Sequence, residues 1–185
     1  MIMILTLLTT NSQTGASTFV FTSSIDSTYD EYMFVLTGMN LSVTNENLLL
    51  NFSTDGGTNY NLTKTTTYLS SYHQEDDSGD VSLSNVDAHD LAQSTAGQRF
   101  PSDVNFDADS TVDGILHLFS PASTTYVKHF ISRLNYHGGA TSNNTNYMAN
   151  VWVTGYVNTT SDIDAVEFKP ESGTMDGVIQ MYGVA

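Results

Sequence analysis

Apolar residues in this chain recur in short runs of period two, broken by Ser, Thr, Asn, Asp and Gly, with almost no stretch showing the 3.6-residue repeat of an amphipathic helix. That pattern predicts an all-β, single-domain antiparallel β-sandwich, jelly-roll-like, of about nine strands. The expected strands cover residues 18–22, 32–41, 47–53, 60–69, 112–119, 125–134, 148–157, 163–168 and 175–184. In 47–53, Leu48, Leu50 and Phe52 share one face and Asn47, Asn51 and Ser53 the other, so this strand reads as half-buried. In 32–41 both faces are apolar. Either the strand is covered on both sides, by a second sheet and a neighbouring subunit, or it changes face at a bulge near Gly38.

Two turns read as hairpins. Asp55-Gly-Gly-Thr58 carries residues that tolerate positive φ and is expected to join 47–53 to 60–69, while Ser120-Pro-Ala-Ser-Thr124 joins 112–119 to 125–134. Between them lies one long stretch, residues 73–113, without strand character. It holds ten of the chain's 20 acidic residues, and a short helix over 87–98 capped by Asp87 is expected within it. The division is therefore an N-terminal arm or docking strand, 1–16, followed by a sandwich domain, 17–185.

Composition narrows the function. Leu, Ile, Val and Phe together make 45 of 185 residues, enough for a core, and a chain of this length folds without metal or disulfide staples. Five Lys and Arg against 20 Asp and Glu leave a net charge of −15, which disfavours a nucleic-acid backbone or an anionic membrane as partner. The absence of cysteine excludes a thiolate zinc site, an iron–sulfur cluster and a cysteine nucleophile. The opening Met1-Ile-Met-Ile-Leu-Thr-Leu-Leu8 lacks a positive leader and is too short to span a membrane, so it reads as a strand or arm and the protein as soluble. Burying Ile2, Ile4, Leu5, Leu7 and Leu8 against a neighbour is worth roughly 1.5–3 kcal/mol per side chain before ordering costs.

Three constellations bear on chemistry. Asp107-Ala-Asp109-Ser-Thr111-Val-Asp113 spaces oxygen ligands as a calcium loop does, making Asp107, Asp109 and Asp113 candidate cation ligands. Yet Val112 stands where the loop needs Gly and Leu118 where it needs a bidentate Glu, so the competing reading is a solvated acidic face, and no cofactor is expected apart from this candidate Ca2+. His117 and His129 lie on the two arms of one hairpin and are expected to face each other across it, while Asp87-Ala-His-Asp90 offers a base without any nucleophile context. Tyr60, Tyr68, Tyr72, Tyr136, Tyr147 and Trp152 are candidates for stacking on sugar rings, with Tyr72 and Tyr136 the chosen glycan contacts; against this, Tyr is a good strand former and Trp152 suits a core or a subunit contact. No motif supports an enzyme.

Four stretches carry a resemblance. Phe21-Thr-Ser-Ser-Ile-Asp-Ser-Thr-Tyr-Asp-Glu-Tyr-Met-Phe-Val35 resembles the opening of a family of small virion structural proteins of tailed phages that infect marine bacteria, notably cyanophages and pelagiphages. Leu116-His-Leu-Phe-Ser-Pro-Ala-Ser-Thr-Thr-Tyr-Val-Lys-His-Phe130 is similar to that family's central hairpin. Gly155-Tyr-Val-Asn-Thr-Thr-Ser-Asp-Ile-Asp-Ala-Val-Glu-Phe-Lys169 and Ser172-Gly-Thr-Met-Asp-Gly-Val-Ile-Gln-Met-Tyr-Gly-Val184 resemble its closing strands. The resemblance implies a β-sandwich virion protein, a tail- or head-associated appendage or decoration protein without catalytic residues. Such a protein would be made in the host cytoplasm, assemble with itself as a trimer and dock on other virion proteins. Residues 1–16 and 72–113 depart from the family pattern. The alternative is a carbohydrate-binding module that touches a host-surface glycan.

Overall fold

The structure, a computed structural model, describes residues 4–77, 82–104, 109–140 and 145–185. Among these residues there are twelve strands rather than nine: β1 (Leu5–Ala16), β2 (Phe19–Phe21), β3 (Glu31–Leu41), β4 (Leu48–Ser53), β5 (Lys64–Gln74), β6 (Ser82–Asn85), β7 (Gln98–Arg99), β8 (Val112–Phe119), β9 (Lys128–Ala140), β10 (Thr145–Val157), β11 (Ala165–Pro170) and β12 (Met175–Val184). They form an all-β sandwich of two antiparallel sheets. The larger has the order β1-β12-β3-β8-β9-β10-β5-β6 and the smaller β2-β11-β4-β7. The only helical element among the described residues is a single 3-10 turn, Asp87–His89. The helix expected over 87–98 is thus one turn long, and Val86, not Asp87, stands at its cap.

Alternation decides which side chains enter the core. On β9, Phe130, Ser132, Leu134 and Tyr136 point inward and are buried, while His129, Ile131, Arg133 and Asn135 point outward. Aromatic rings mark the seam between the sheets: Phe21 meets Phe34 edge-on at 5.2 Å, Phe34 meets Phe168 at 5.7 Å and Phe52 meets Phe130 at 5.3 Å. On β4 the expectation of a half-buried strand is exceeded. Asn51 and Ser53 are buried as well, Asn51 bonded to Glu167 at 3.0 Å and Ser53 to Asp55 at 2.7 Å.

The two-faced apolar strand resolves as a bulge. Tyr32, Phe34 and Leu36 are buried on β3, after which the buried set shifts to Met39 and Leu41. The shift falls at Gly38, whose φ of +61° suits glycine, and the register with both neighbours slips there. The carboxylate of Asp113 accepts the Gly38 N–H at 2.7 Å, closing the backbone donor that the bulge frees.

The loop Ser120–Thr124 joins β8 to β9 as expected. The turn at Asp55–Thr58 does not make a hairpin. It carries the chain from β4 in the smaller sheet to β5 in the larger one, and the two strands do not pair. Asp55 organises it, accepting from Asn59 N at 2.9 Å and Asn59 Nδ2 at 2.7 Å, and Gly56 N binds the Asp164 carboxylate at 3.0 Å. Turn chemistry of this kind specifies a tight reversal but not which sheet receives the next strand.

Two lysines are wholly buried. Lys64 and Lys128 both flank Val157 in the larger sheet, pointing inward. The Lys128 ammonium donates to the carbonyls of Ser123, Tyr126 and Thr159 at 2.5, 2.9 and 3.3 Å, tying the β8–β9 loop down, whereas Lys64 Nζ has the Leu62 carbonyl at 2.9 Å.

Candidate functional site

Where the larger sheet passes beyond the cover of the smaller one, its inner face forms a cleft of about 340 Å³. The floor follows from period two on β5: Tyr68, Ser70, Tyr72 and Gln74 are alternate residues on one face. Register brings the rest. Tyr147 of β10 lies opposite Gln74, and the same residue lies opposite Gly138 of β9, two positions beyond Tyr136. The Tyr147 ring occupies the space that a Cβ on Gly138 would need, 2.2 Å from its nearest ring carbon, so the glycine seats the ring over the sheet. The opposing wall comes from Val86 and His89 on one side and Ser102 and Asp103 on the other. Bridges from Glu46 to Val104 and from Val104 to Gly138 close this end of the sandwich.

The lining is aromatic but rich in hydroxyls. Tyr72 and Tyr147 pack at 5.7 Å, His89 meets Tyr68 edge-on at 4.8 Å, and Tyr68 and Ser102 share a hydrogen bond of 3.3 Å. The Tyr136 hydroxyl lies beside those of Tyr68 and Tyr147, extending the row of hydroxyls across the floor. Burial raises the pKa of Tyr68 and Tyr136 above the ordinary phenol value and that of Tyr147 to about 12, so all three stay neutral through the physiological range. Burial, with Arg99 nearby, lowers the pKa of His89 and keeps its ring neutral. Two buried polar atoms on lining side chains, Gln74 Oε1 and His89 Nδ1, have no hydrogen-bond partner among the described residues.

Tyr72 and Tyr136, the chosen glycan contacts, therefore share one cleft, together with Tyr68 and Tyr147. Tyr60 and Trp152 lie elsewhere: Tyr60 packs on Gly57 in the crossover turn, and Trp152 sits on the outer face of the larger sheet with the Arg133 guanidinium 5.6 Å from its ring centroid. Gln74 and His89 were not legible as site residues. The available signal was a strand with Ser70 and Gln74 on its inward face, where a filled core would require apolar groups.

The acidic candidates are placed differently. Asp107 lies outside the described residues. Asp109 and Asp113 line a second cleft with Glu75 and His137, but Asp113 is engaged with Gly38 N and with Thr111 Oγ1 at 2.9 Å. Among the described residues no group of three or more His, Asp or Glu is arranged to hold a metal ion. His137 Nδ1 binds Ser110 Oγ at 2.6 Å and its Nε2 lies 3.6 Å from Glu75, a nucleophile-like constellation; Ser110 is fully buried, out of reach of a substrate.

His117 and His129 are not paired. His117 lies opposite Ile131 and binds Glu31 Oε1 at 2.5 Å, whereas His129 packs on Tyr156 at 6.0 Å. The hairpin register is set two residues away from the one that would oppose them. His89 of the Asp87-Ala-His-Asp90 segment is not oriented by either acid, since Asp90 accepts from Tyr68 N at 2.6 Å and both acids accept from Asn85.

The N-terminal arm is a strand of its own sheet. β1 pairs with β12 along almost its whole length, and Leu8 packs against the core. Ile4, Leu5 and Leu7 remain exposed, Ile4 at 58% and Leu7 at 51% of full accessibility, and Ile2 lies outside the described residues. The other edge of β1 is unpaired among the described residues. Compared with models of protein families, with curated proteins and with solved structures, the chain finds no match in any of the three.

Proposed function

We propose that the chain is a non-enzymatic structural subunit of a tailed-phage particle, a tail- or head-associated appendage that assembles with itself as a trimer and docks on a neighbour through its N-terminal strand. The particle context comes from the resemblance of its β2–β3, β8–β9 and β10–β12 segments. The observation that carries self-assembly is the outer face of the larger sheet. One row across it runs Leu69, Trp152, Arg133, Ile115, Val35, and the next runs Thr154, Ile131, His117, Met33, Tyr182, Leu7. Leu69, Ile115, Ile131 and Leu7 are exposed and Trp152, Val35, Met33 and Tyr182 half-buried, so apolar side chains, interrupted by Arg133, His117 and Thr154, recur across the face, and apolar surface of this kind marks contact surfaces. The exposed side chain of Leu7 puts the β1 edge on the same surface.

Light scattering after size exclusion tests the reading. The expected mass is that of three 20.2 kDa chains, and Ile115→Glu combined with Ile131→Glu, both at exposed positions, should return it to one. A wild-type monomer at tens of micromolar removes self-assembly in solution. A double variant that stays trimeric moves the seam off this face. A mass that depends on millimolar calcium would instead make Asp109 and Asp113 part of an inter-subunit cation site.

A further inference from the structure

The geometry points to the tyrosine-lined cleft between β5, β9, β10 and residues 86–103 as a binding site for one uncharged sugar ring, a pyranose unit of a glycan. This goes beyond the structural role proposed above. Three features select that chemistry. The first is size: about 340 Å³ lies at the lower end of small-molecule sites, roughly 300–1,000 Å³, and suits one ring rather than an extended oligosaccharide. The second is charge. No Lys or Arg lines the cleft, and its one carboxylate, Asp103, stands exposed at the rim, so phosphates and acidic sugars are repelled. The third is unsatisfied hydrogen-bonding capacity beside aromatic surface. Gln74 Oε1 and His89 Nδ1 are buried without partners, a cost that is relieved when the two side chains turn towards a ligand carrying both donors and acceptors.

A sugar ring has that dual character. Its hydroxyls can join the Tyr147–Tyr136–Tyr68–Ser102 row, and its C–H face can lie on Tyr72 or Tyr147. A quaternary ammonium would use the aromatic rings but would leave Gln74 and His89 unpaired, since it donates no hydrogen bond. The floor of the cleft lies on paired strands, with Tyr147 seated on Gly138, so the side chains that must reorient on binding are those of Gln74 and His89.

The test is ligand-observed NMR and calorimetry on the full chain, with the methyl pyranosides of glucose, galactose and mannose, and with choline and inorganic phosphate in parallel. At least one methyl pyranoside should bind saturably in the millimolar range or tighter. Gln74→Ala should weaken that binding about tenfold or more, and Gly138→Ala, which displaces the Tyr147 ring, should do the same. Tyr72→Ala, at a half-buried rim position, serves as a third variant should either of the others lower the melting temperature. Absence of saturable binding by all three pyranosides overturns the proposal. So does preference for choline or phosphate, or pyranoside binding that all three variants leave unchanged. None of these results bears on the assembly reading, which is judged by mass alone.

Discussion

Lys64 has the least compensated charge in the core: its ammonium is buried with one carbonyl acceptor, and desolvation lowers its pKa to about 8. Between about pH 8 and pH 10.5 the unfolded chain holds this proton more tightly than the folded one, so this group makes stability rise with pH across that window. A shift of this size corresponds to about 3 kcal/mol at most. Lys64→Met should remove the rise and leave stability at pH 7 equal or higher. Urea denaturation of both proteins at pH 7, 8, 9 and 10 reads the difference, and a parallel pH dependence in the variant would show that the ammonium is not the source. Above pH 10 the raised values of Tyr136 and Tyr147 act in the opposite sense, because the folded state then retains protons that the unfolded state has lost. At this scale the sequence was partly legible. Tyr72 and Tyr136 stand out as polar aromatics just beyond the expected strands 60–69 and 125–134, but their meeting with Gln74 and His89 depends on the β5–β10–β9 register and on the return of residues 86–103, neither of which is local.

Most strands with apolar alternation were readable to within a few residues, because burial of one face imposes the period, whereas β5 and β9 run five and six residues past the ends expected of them. β8 and β12 fall on their expected spans, and β3 and β4 start within one residue of theirs. β6 and β7 were not readable. Ser82-Leu-Ser-Asn85 and Gln98-Arg99 have no apolar repeat and become strands only by pairing with β5 and β4. The crossover at Asp55–Thr58 was misread for a related reason, since two consecutive positive-φ glycines fit a hairpin as well as a passage between sheets. β1 gives this scale its prediction. Deleting residues 1–9 removes Ile4, Leu5 and Leu7 from the surface but retains Thr10–Ser12, which pair with Gln180–Val178. The truncated chain should unfold cooperatively, with a melting temperature lower by several degrees, and, on the particle role proposed above, should no longer sediment with phage particles. Co-sedimentation at the wild-type level would remove β1 from the docking contact.

For the molecule as a whole, charge and apolar surface act against each other. Five Lys and Arg offset only part of 20 Asp and Glu, leaving a net charge of −15, so copies of the chain repel one another at low ionic strength. Raising salt from about 0.01 to 1 M shortens the screening length from about 30 to 3 Å. If the band around Trp152 is the seam, self-association should tighten roughly tenfold or more over that range, read by sedimentation equilibrium and by a blue shift in the emission of the single tryptophan. Weakening with salt would mean that the contact is ionic and that another surface forms it.

Enclosure of Lys64 and Lys128 also makes the folded protein nearly uniform towards amine chemistry. Of three lysines only Lys169 offers its side chain to solvent, on β11 of the smaller sheet. An acylating dye or a surface-coupling reagent should therefore attach to the native chain at one lysine, apart from the amino terminus, and at all three once the chain is unfolded. A chain whose amino terminus is blocked can thus be tethered through Lys169 alone.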